Sequence, residues 1–171
     1  VGMNVTFESE MSLDDMINEG VRRAYNYPDN VLRASVLADP DGKRANTKDN
    51  TPAVINYSIV PGDTVEIDVA AKGGGSEAKS KFAMLNPSDS VVDWVLEQIP
   101  KMGAGWCPPG MLGIGIGGTA EKAMLIAKES LMDPIDIHEL QARGAKTRSE
   151  ELRLELFEKV NALGIGAQGL G

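Results

Sequence analysis

The sequence predicts a mixed α+β fold, a sheet with at least one antiparallel hairpin packed by about four helices. Two observations carry this. Several stretches repeat apolar residues at spacings of three and four, which is the spacing of one helix face. Another stretch alternates apolar and polar residues on both sides of Pro61-Gly62-Asp63, as two strands joined by a short turn do.

The elements follow in order. Met3, Val5 and Phe7 alternate as the tail of a strand. Ser12-Leu-Asp-Asp15 is a capping-box-like start, and Leu13, Met16, Ile17, Val21 and Ala24 continue it as a helix to about Tyr25, before Tyr27-Pro28. Val31 to Leu37 is a short apolar segment interrupted by Arg33. The polar loop from Asp39 to Pro52 is expected to be the most mobile stretch. Ala53–Val60 and Thr64–Ala71 form the predicted hairpin, and Lys72-Gly-Gly-Gly-Ser76 leaves its end.

Pro87-Ser88 opens a second helix, with Val91, Val92, Val95, Leu96 and Ile99 on one face and Trp94 beside them. Met111 to Ile116 reads as a buried strand, and Thr119 caps a helix running to about Met132. Asp133-Pro134 breaks that helix, and Gln141 to Thr147 reads as a polar connection. Leu152, Leu156, Phe157, Val160 and Leu163 mark the last helix, which Gly164 ends as a C′ residue.

Length and composition bound the function. A chain of 171 residues is one domain, 1–171, with room for two lobes, and is long enough to bury a core without staples. Apolar content of 42% and charged content of 25% are ordinary for a globular chain. The net charge of −8 argues against nucleic acid, where affinity comes from neutralising phosphates. No apolar run approaches the ~18 residues of a spanning helix, which argues against a membrane protein. A single cysteine excludes an internal disulfide and suggests a reducing, cytoplasmic compartment. The start at Val1 and the stop at Gly171 suggest a fragment, with any targeting signal outside it.

The densest chemistry lies in Cys107-Pro-Pro-Gly-Met-Leu-Gly-Ile-Gly-Ile-Gly-Gly-Thr119. Two prolines stiffen the backbone after the only thiol, and the glycines suit tight turns or close approach. A thiol on a rigid turn before a helix N-terminus is placed to act as a thiolate, although a lone cysteine is commonly a buried structural one. Gly113, Gly115 and Gly118 satisfy G-x-G-x-x-G. Asp133 and Asp136 stand at about the distance of the acid that fingerprint needs, but Ala123 to Met132 has no room for both a helix and a second strand. The plainer reading is a glycine-rich turn that packs a helix.

Four segments in this order, Ala71-Lys-Gly-Gly-Gly-Ser-Glu-Ala-Lys79, Cys107-Pro-Pro-Gly110, Gly113-Ile-Gly-Ile-Gly-Gly-Thr119 and Leu163-Gly-Ile-Gly-Ala-Gln-Gly-Leu-Gly171, resemble the iron–sulfur hydro-lyases. That family includes class I fumarases and the α subunit of L-tartrate dehydratase. The resemblance covers the whole chain, and the uninterrupted Asp133–Leu140 and the closing Gly-Leu-Gly lean toward the α-subunit type. It implies a fragment of the α subunit or N-terminal domain, completed by a β subunit or C-terminal domain, in a homo-oligomer acting on a small dicarboxylate.

The resemblance further implies a four-iron–four-sulfur cluster held by three cysteines, of which Cys107 matches the second. The other two would lie before Val1 and beyond Gly171. A cluster iron without a protein ligand is a Lewis acid open to substrate oxygens, which suits dehydration of malate to fumarate or of tartrate to oxaloacetate. With one thiol of the three, the chain alone is expected to hold no intact cluster.

Lys72, Gly74, Gly75 and Ser76 match a segment that lines the family's active site. Consecutive amides in a glycine run can also converge on an anion, although such a run is often a flexible surface turn. Lys79 is a weaker candidate from the same loop. Arg33 matches an arginine that meets a substrate carboxylate, where its bidentate fork is an advantage; its commoner fate is to reach out to solvent. His138 matches no catalytic group and reads as structural or exposed. Asp39, Asp41, Asp49 and Asp63 sit where turns want aspartate. The alternative from another class is a non-catalytic module that binds an anion or nucleotide with its glycine loops.

Overall fold

The computed structural model describes residues 1–103, 105 and 110–165. Among them are six helices and one two-stranded antiparallel sheet, so the chain is α+β. It divides into two compact units, residues 1–74 and 75–171.

In the first unit, helix α1 spans Leu13–Tyr25. Ser12 caps it as its sequence predicts. Its hydroxyl accepts a hydrogen bond from the Asp15 amide at 3.1 Å and donates to the Asp15 carboxylate at 2.7 Å. Strands β1 (Leu37–Ala38) and β2 (Ala45–Asn46) pair with Leu37 opposite Asn46 and Ala38 opposite Ala45. The antiparallel hairpin is therefore present, but at 37–46, where it runs into the polar loop, rather than at 53–71.

That displacement has a visible cause. Among the described residues, 53–60 and 64–71 share no ladder; the backbone groups of 58–64 go to the N-terminal residues. The Val1 ammonium donates to the Ser58 carbonyl at 2.7 Å, Gly2 to Thr64 at 2.8 Å and Met3 to Val60 at 2.9 Å. Gly2 is buried there, where a Cβ would stand 2.5 Å from the Gly62 carbonyl oxygen. The predicted N-terminal strand is reduced to one bridge, Gly2 to Val60. The alternating Val65, Ile67 and Val69 are left exposed.

The loop expected to be mobile is tied throughout. Asp39 accepts from the amides of Gly42 (3.1 Å), Lys43 (2.7 Å, at its carboxylate) and Arg44 (2.9 Å). Asp49 accepts from the Thr51 amide at 3.1 Å, the Thr51 hydroxyl at 2.8 Å and Arg22 Nε at 3.2 Å. These bonds hold its carboxyl below the ordinary aspartate value, those from Thr51 first. Asn18 on α1 accepts from the Ala53 amide at 2.8 Å, and Tyr57 donates to Asp14. Of the turn-type aspartates, Asp39 and Asp49 thus have structural roles.

The second unit holds the hydrophobic core. Helix α2 (Gly74–Glu77) starts at the last residue of the first unit, and α3 (Val91–Met102), α4 (Ala120–Glu129), α5 (Ile137–Arg143) and α6 (Arg148–Ala162) follow in order. Val92, Val95 and Ile99 of α3 meet Leu156 of α6, flanked by Val91, Trp94, Leu96, Ile114, Leu152 and Val160. The apolar face predicted for α3 is the one that packs. Of the residues predicted for the last helix, Leu152, Leu156 and Val160 pack, whereas Phe157 and Leu163 are left exposed. Helix α3 begins at Val91 with Ser90 as its cap, because Asn86 and Asp89 close a turn over the expected start at Pro87.

Helix α5 has no counterpart in the sequence prediction and takes up the start of the polar connection expected from Gln141. Asp136 caps it by accepting from the amides of His138 and Glu139, and Leu140 is buried. Residues 111–116 are not a buried strand: Met111 is 78% exposed and only Ile114 packs on the core. Gly164, at φ 63°, follows α6 as expected. No helix among the described residues is long and apolar enough to cross a membrane.

Candidate functional site

The glycine run 73–75 leads into α2, a single helical turn. Gly74 and Gly75 lie in that turn with Ser76, and Lys72 is exposed just ahead of it. A Cβ on Gly73 or Gly74 would meet nothing within 4 Å. One on Gly75 would stand 2.8 Å from the Gly105 carbonyl oxygen, and one on Gly105 would stand 2.6 Å from Cε of Lys79. The structure therefore brings Gly75, Lys79 and Gly105 together, two residues before Cys107. Cys107 itself lies outside the described residues.

Glu77 at the end of α2 forms an ion pair with Lys128 of α4 at 2.7 Å. The partners are far apart in sequence, and nothing local to either announces the bond. It ties the glycine turn to the helix that follows the other glycine-rich stretch.

The fingerprint glycines have a packing role. A Cβ on Gly113 would run into the Ala127 carbonyl oxygen, and one on Gly115 into that of Ala123. Ala123 and Ala127 are one helical turn apart, so the two glycines form a flat surface against which α4 rests. This is the plainer of the two readings of the motif.

Arg33 is exposed in the first unit. Other arginines are committed: Arg22 and Arg23 to Glu19, Arg143 to Glu150, and Arg148 to Glu151. Arg33 makes no such bond among the described residues. Its backbone neighbours are held closely. Asn30 accepts from the Leu32 amide and donates to the Leu32 carbonyl, both at 2.9 Å. Asn46 donates to the Ala34 carbonyl at 2.9 Å. Asn50 accepts from the amides of Ser35 at 2.8 Å and Val36 at 3.2 Å. Sequence reasoning passed over these asparagines; for Asn46 and Asn50 their nearness in the polar loop was the available signal.

His138 is exposed in the first turn of α5. Among the described residues no group of three His, Cys, Asp or Glu side chains could hold a metal ion.

Comparison with known proteins agrees with the motifs. The profile of the fumarate hydratase (Fumerase) family matches residues 1–171. A Methanocaldococcus jannaschii protein, provisionally named L(+)-tartrate dehydratase subunit alpha, is 37% identical over 180 aligned positions, covering 100% of this chain and 60% of that protein. L(+)-tartrate dehydratase subunit alpha of Escherichia coli (strain UTI89) is 36% identical over 129 positions, covering 73% of this chain and 41% of that protein. The corresponding subunit of strain K12 is 35% identical over the same shares. The chain thus spans 60% or less of the length of these relatives. No solved structure matches it. With the family profile matching end to end, the chain belongs to the fumarate hydratase (Fumerase) family of lyases, whose members here include L(+)-tartrate dehydratase α subunits.

Proposed function

We propose that the chain, 1–171, is one domain's worth of an α subunit or N-terminal domain. The parent enzyme would be an iron–sulfur hydro-lyase that reversibly dehydrates a small hydroxy-dicarboxylate, malate to fumarate or tartrate to oxaloacetate. The observation that carries this is the contact of Gly75 with Gly105. It joins the glycine run to the segment that leads into the only cysteine, on a chain whose family profile matches throughout.

Each candidate has a role in this reading. Arg33 offers a bidentate fork to a carboxylate. The amides of Gly74, Gly75 and Ser76, with the charge of Lys72, suit an anionic group. Cys107 would hold an iron–sulfur cluster through one thiolate, and the cluster would supply Lewis-acid chemistry. The chain carries a single cysteine, so its own residues do not fit an intact cluster, and the remaining ligands must come from elsewhere.

The exposed Val54, Ile59, Ile67 and Val69 are apolar side chains of the kind partners cover. That supports a β subunit or C-terminal domain, and a homo-oligomer, as partners. A cytoplasmic setting suits a free thiolate.

The test is Cys107→Ser in the complete enzyme. Serine is close in size, while iron–sulfur clusters are held by thiolates. We expect turnover of malate and tartrate to be abolished and iron to be lost, with the circular dichroism of the parent. Retained iron and turnover would make Cys107 a bystander, and loss of folded protein would make it a core residue. The isolated chain should be colourless and inactive; several irons per chain would overturn the ligand assignment.

A further inference from the structure

We infer that Asn50 is a positioning residue, whose side-chain oxygen fixes the backbone that presents Arg33 to a substrate carboxylate. This rests on the role proposed above for Arg33.

The geometry is specific. One oxygen of Asn50 accepts two consecutive amides, Ser35 at 2.8 Å and Val36 at 3.2 Å. A ladder partner contributes one bond per carbonyl along an extended strand, whereas this oxygen pins two adjacent peptide units at one point. Asn46 holds the intervening Ala34 carbonyl at 2.9 Å, and Thr47 donates its amide to the Val36 carbonyl at 3.0 Å. On the other side, Asn30 brackets Leu32 through both its amide and its carbonyl. The backbone is thus gripped on each side of Arg33, while the guanidinium makes no bond among the described residues.

Asn50 is itself held under strain. Its φ is 60°, and Asp39, Arg44 and Lys48 in the same loop also have positive φ. Such conformations cost free energy and persist only where surroundings over-determine them; asparagine tolerates this region better than most residues. Asp49 next to it is anchored to Arg22 and Thr51. The five buried hydrophobic side chains among the described residues all lie in the second unit. Order around Arg33 therefore depends on hydrogen bonds, and Asn50 contributes two of them.

An arginine that must meet a carboxylate with both arms gains from such a platform. Misplacing it by an ångström loses the bidentate geometry, whereas a solvent-facing arginine needs no fixed backbone.

The experiment uses the complete enzyme with Asn50→Gly, which keeps the left-handed backbone and removes the side chain, and Asn50→Asp, which keeps the acceptor. We expect Asn50→Gly to raise KM for malate or tartrate about tenfold with kcat within about twofold. Asn50→Asp should restore KM to within about twofold of the parent. The double variant with Arg33→Ala should be no worse than Arg33→Ala alone, as coupled residues are non-additive. Amide exchange at Ser35 and Val36 should quicken in the glycine variant and recover in the aspartate one. If Asn50→Gly does not fold, Asn46→Ala, which releases only the Ala34 carbonyl, is read by the same KM and exchange measurements. Additive losses, or a fall in kcat with KM unchanged, would overturn the inference. So would Arg33→Ala raising KM while Asn50→Gly leaves it alone. Arg33→Ala without effect on KM would instead overturn the substrate role of Arg33, and this inference with it.

Discussion

Gly75 stands so close to Gly105 that a Cβ on residue 75 would lie 2.8 Å from the Gly105 carbonyl oxygen. Backbone cannot yield as the end of a side chain can. Gly75→Ala should therefore push α2 away from the segment that leads into Cys107, at the ~1–3 kcal/mol typical of overpacking. Gly74, one residue earlier, has nothing within 4 Å of such a Cβ. In the complete enzyme we expect Gly75→Ala to lower kcat/KM at least about tenfold and Gly74→Ala to change it little. Equal effects from the two would show that this approach does not matter to the site.

Gly113 and Gly115 make a second, separable prediction. Their missing side chains let α4 rest on the chain at Ala123 and Ala127, so Gly115→Ala should destabilise by about 1–3 kcal/mol. Urea unfolding of the isolated chain reads this without any cofactor. Addition of a dinucleotide should leave the midpoint unchanged. A dinucleotide-dependent rise would restore the nucleotide-binding alternative, because a ligand that binds only the folded state stabilises it.

The parts of the fold legible in the sequence are those with a repeated signal. The apolar faces of α3 and α6 could be read because Val92, Val95, Ile99 and Leu156 recur at helical spacing and are the residues that become buried. Helix α5 is too short for that signal; only Asp136 and Gly144 at its ends mark it. The hairpin was misplaced because alternation at 64–71 reports extended chain, not its partner. The actual pair, β1 and β2, is two residues per strand and is secured by side chains such as Asn46 and Thr47. In the site, the glycine run was legible as a run. Its approach to Gly105 and the Glu77–Lys128 pair were not, since both join distant parts of the chain.

The contrast between packed and unpacked apolar residues gives a third prediction. Ile99 is 3% exposed in the core, whereas Val69 is 85% exposed. Ile99→Ala should cost about 2–5 kcal/mol through lost contacts and the cavity left behind. Val69→Thr in the isolated chain should fall within about 0.5 kcal/mol of the parent, as surface changes do. Both are read from denaturation midpoints. A large loss from Val69→Thr would show that residue to be packed in this chain.

The last prediction concerns acid stability and Glu150. Its carboxylate accepts from Arg143 Nη2 at 2.5 Å and from the Lys146 amide at 2.7 Å. Arg143 first, then the backbone donors, hold its pKa down to about 2, against an ordinary value of 4.5. A group whose folded pKa is depressed contributes stability that is fully present above its unfolded pKa and lost as pH falls through the folded one. The window is therefore from about 4.5 down to about 2. Glutamine keeps an acceptor for Arg143 but cannot ionise. Glu150→Gln should thus be less stable than the parent at pH 7, with the gap closing across that window until the two melt alike near its lower end. Thermal unfolding of both proteins at a series of pH values measures it. A gap that stays constant with pH would assign the loss to the start of α6, where the Glu150 amide is capped by Thr147, and not to the charge.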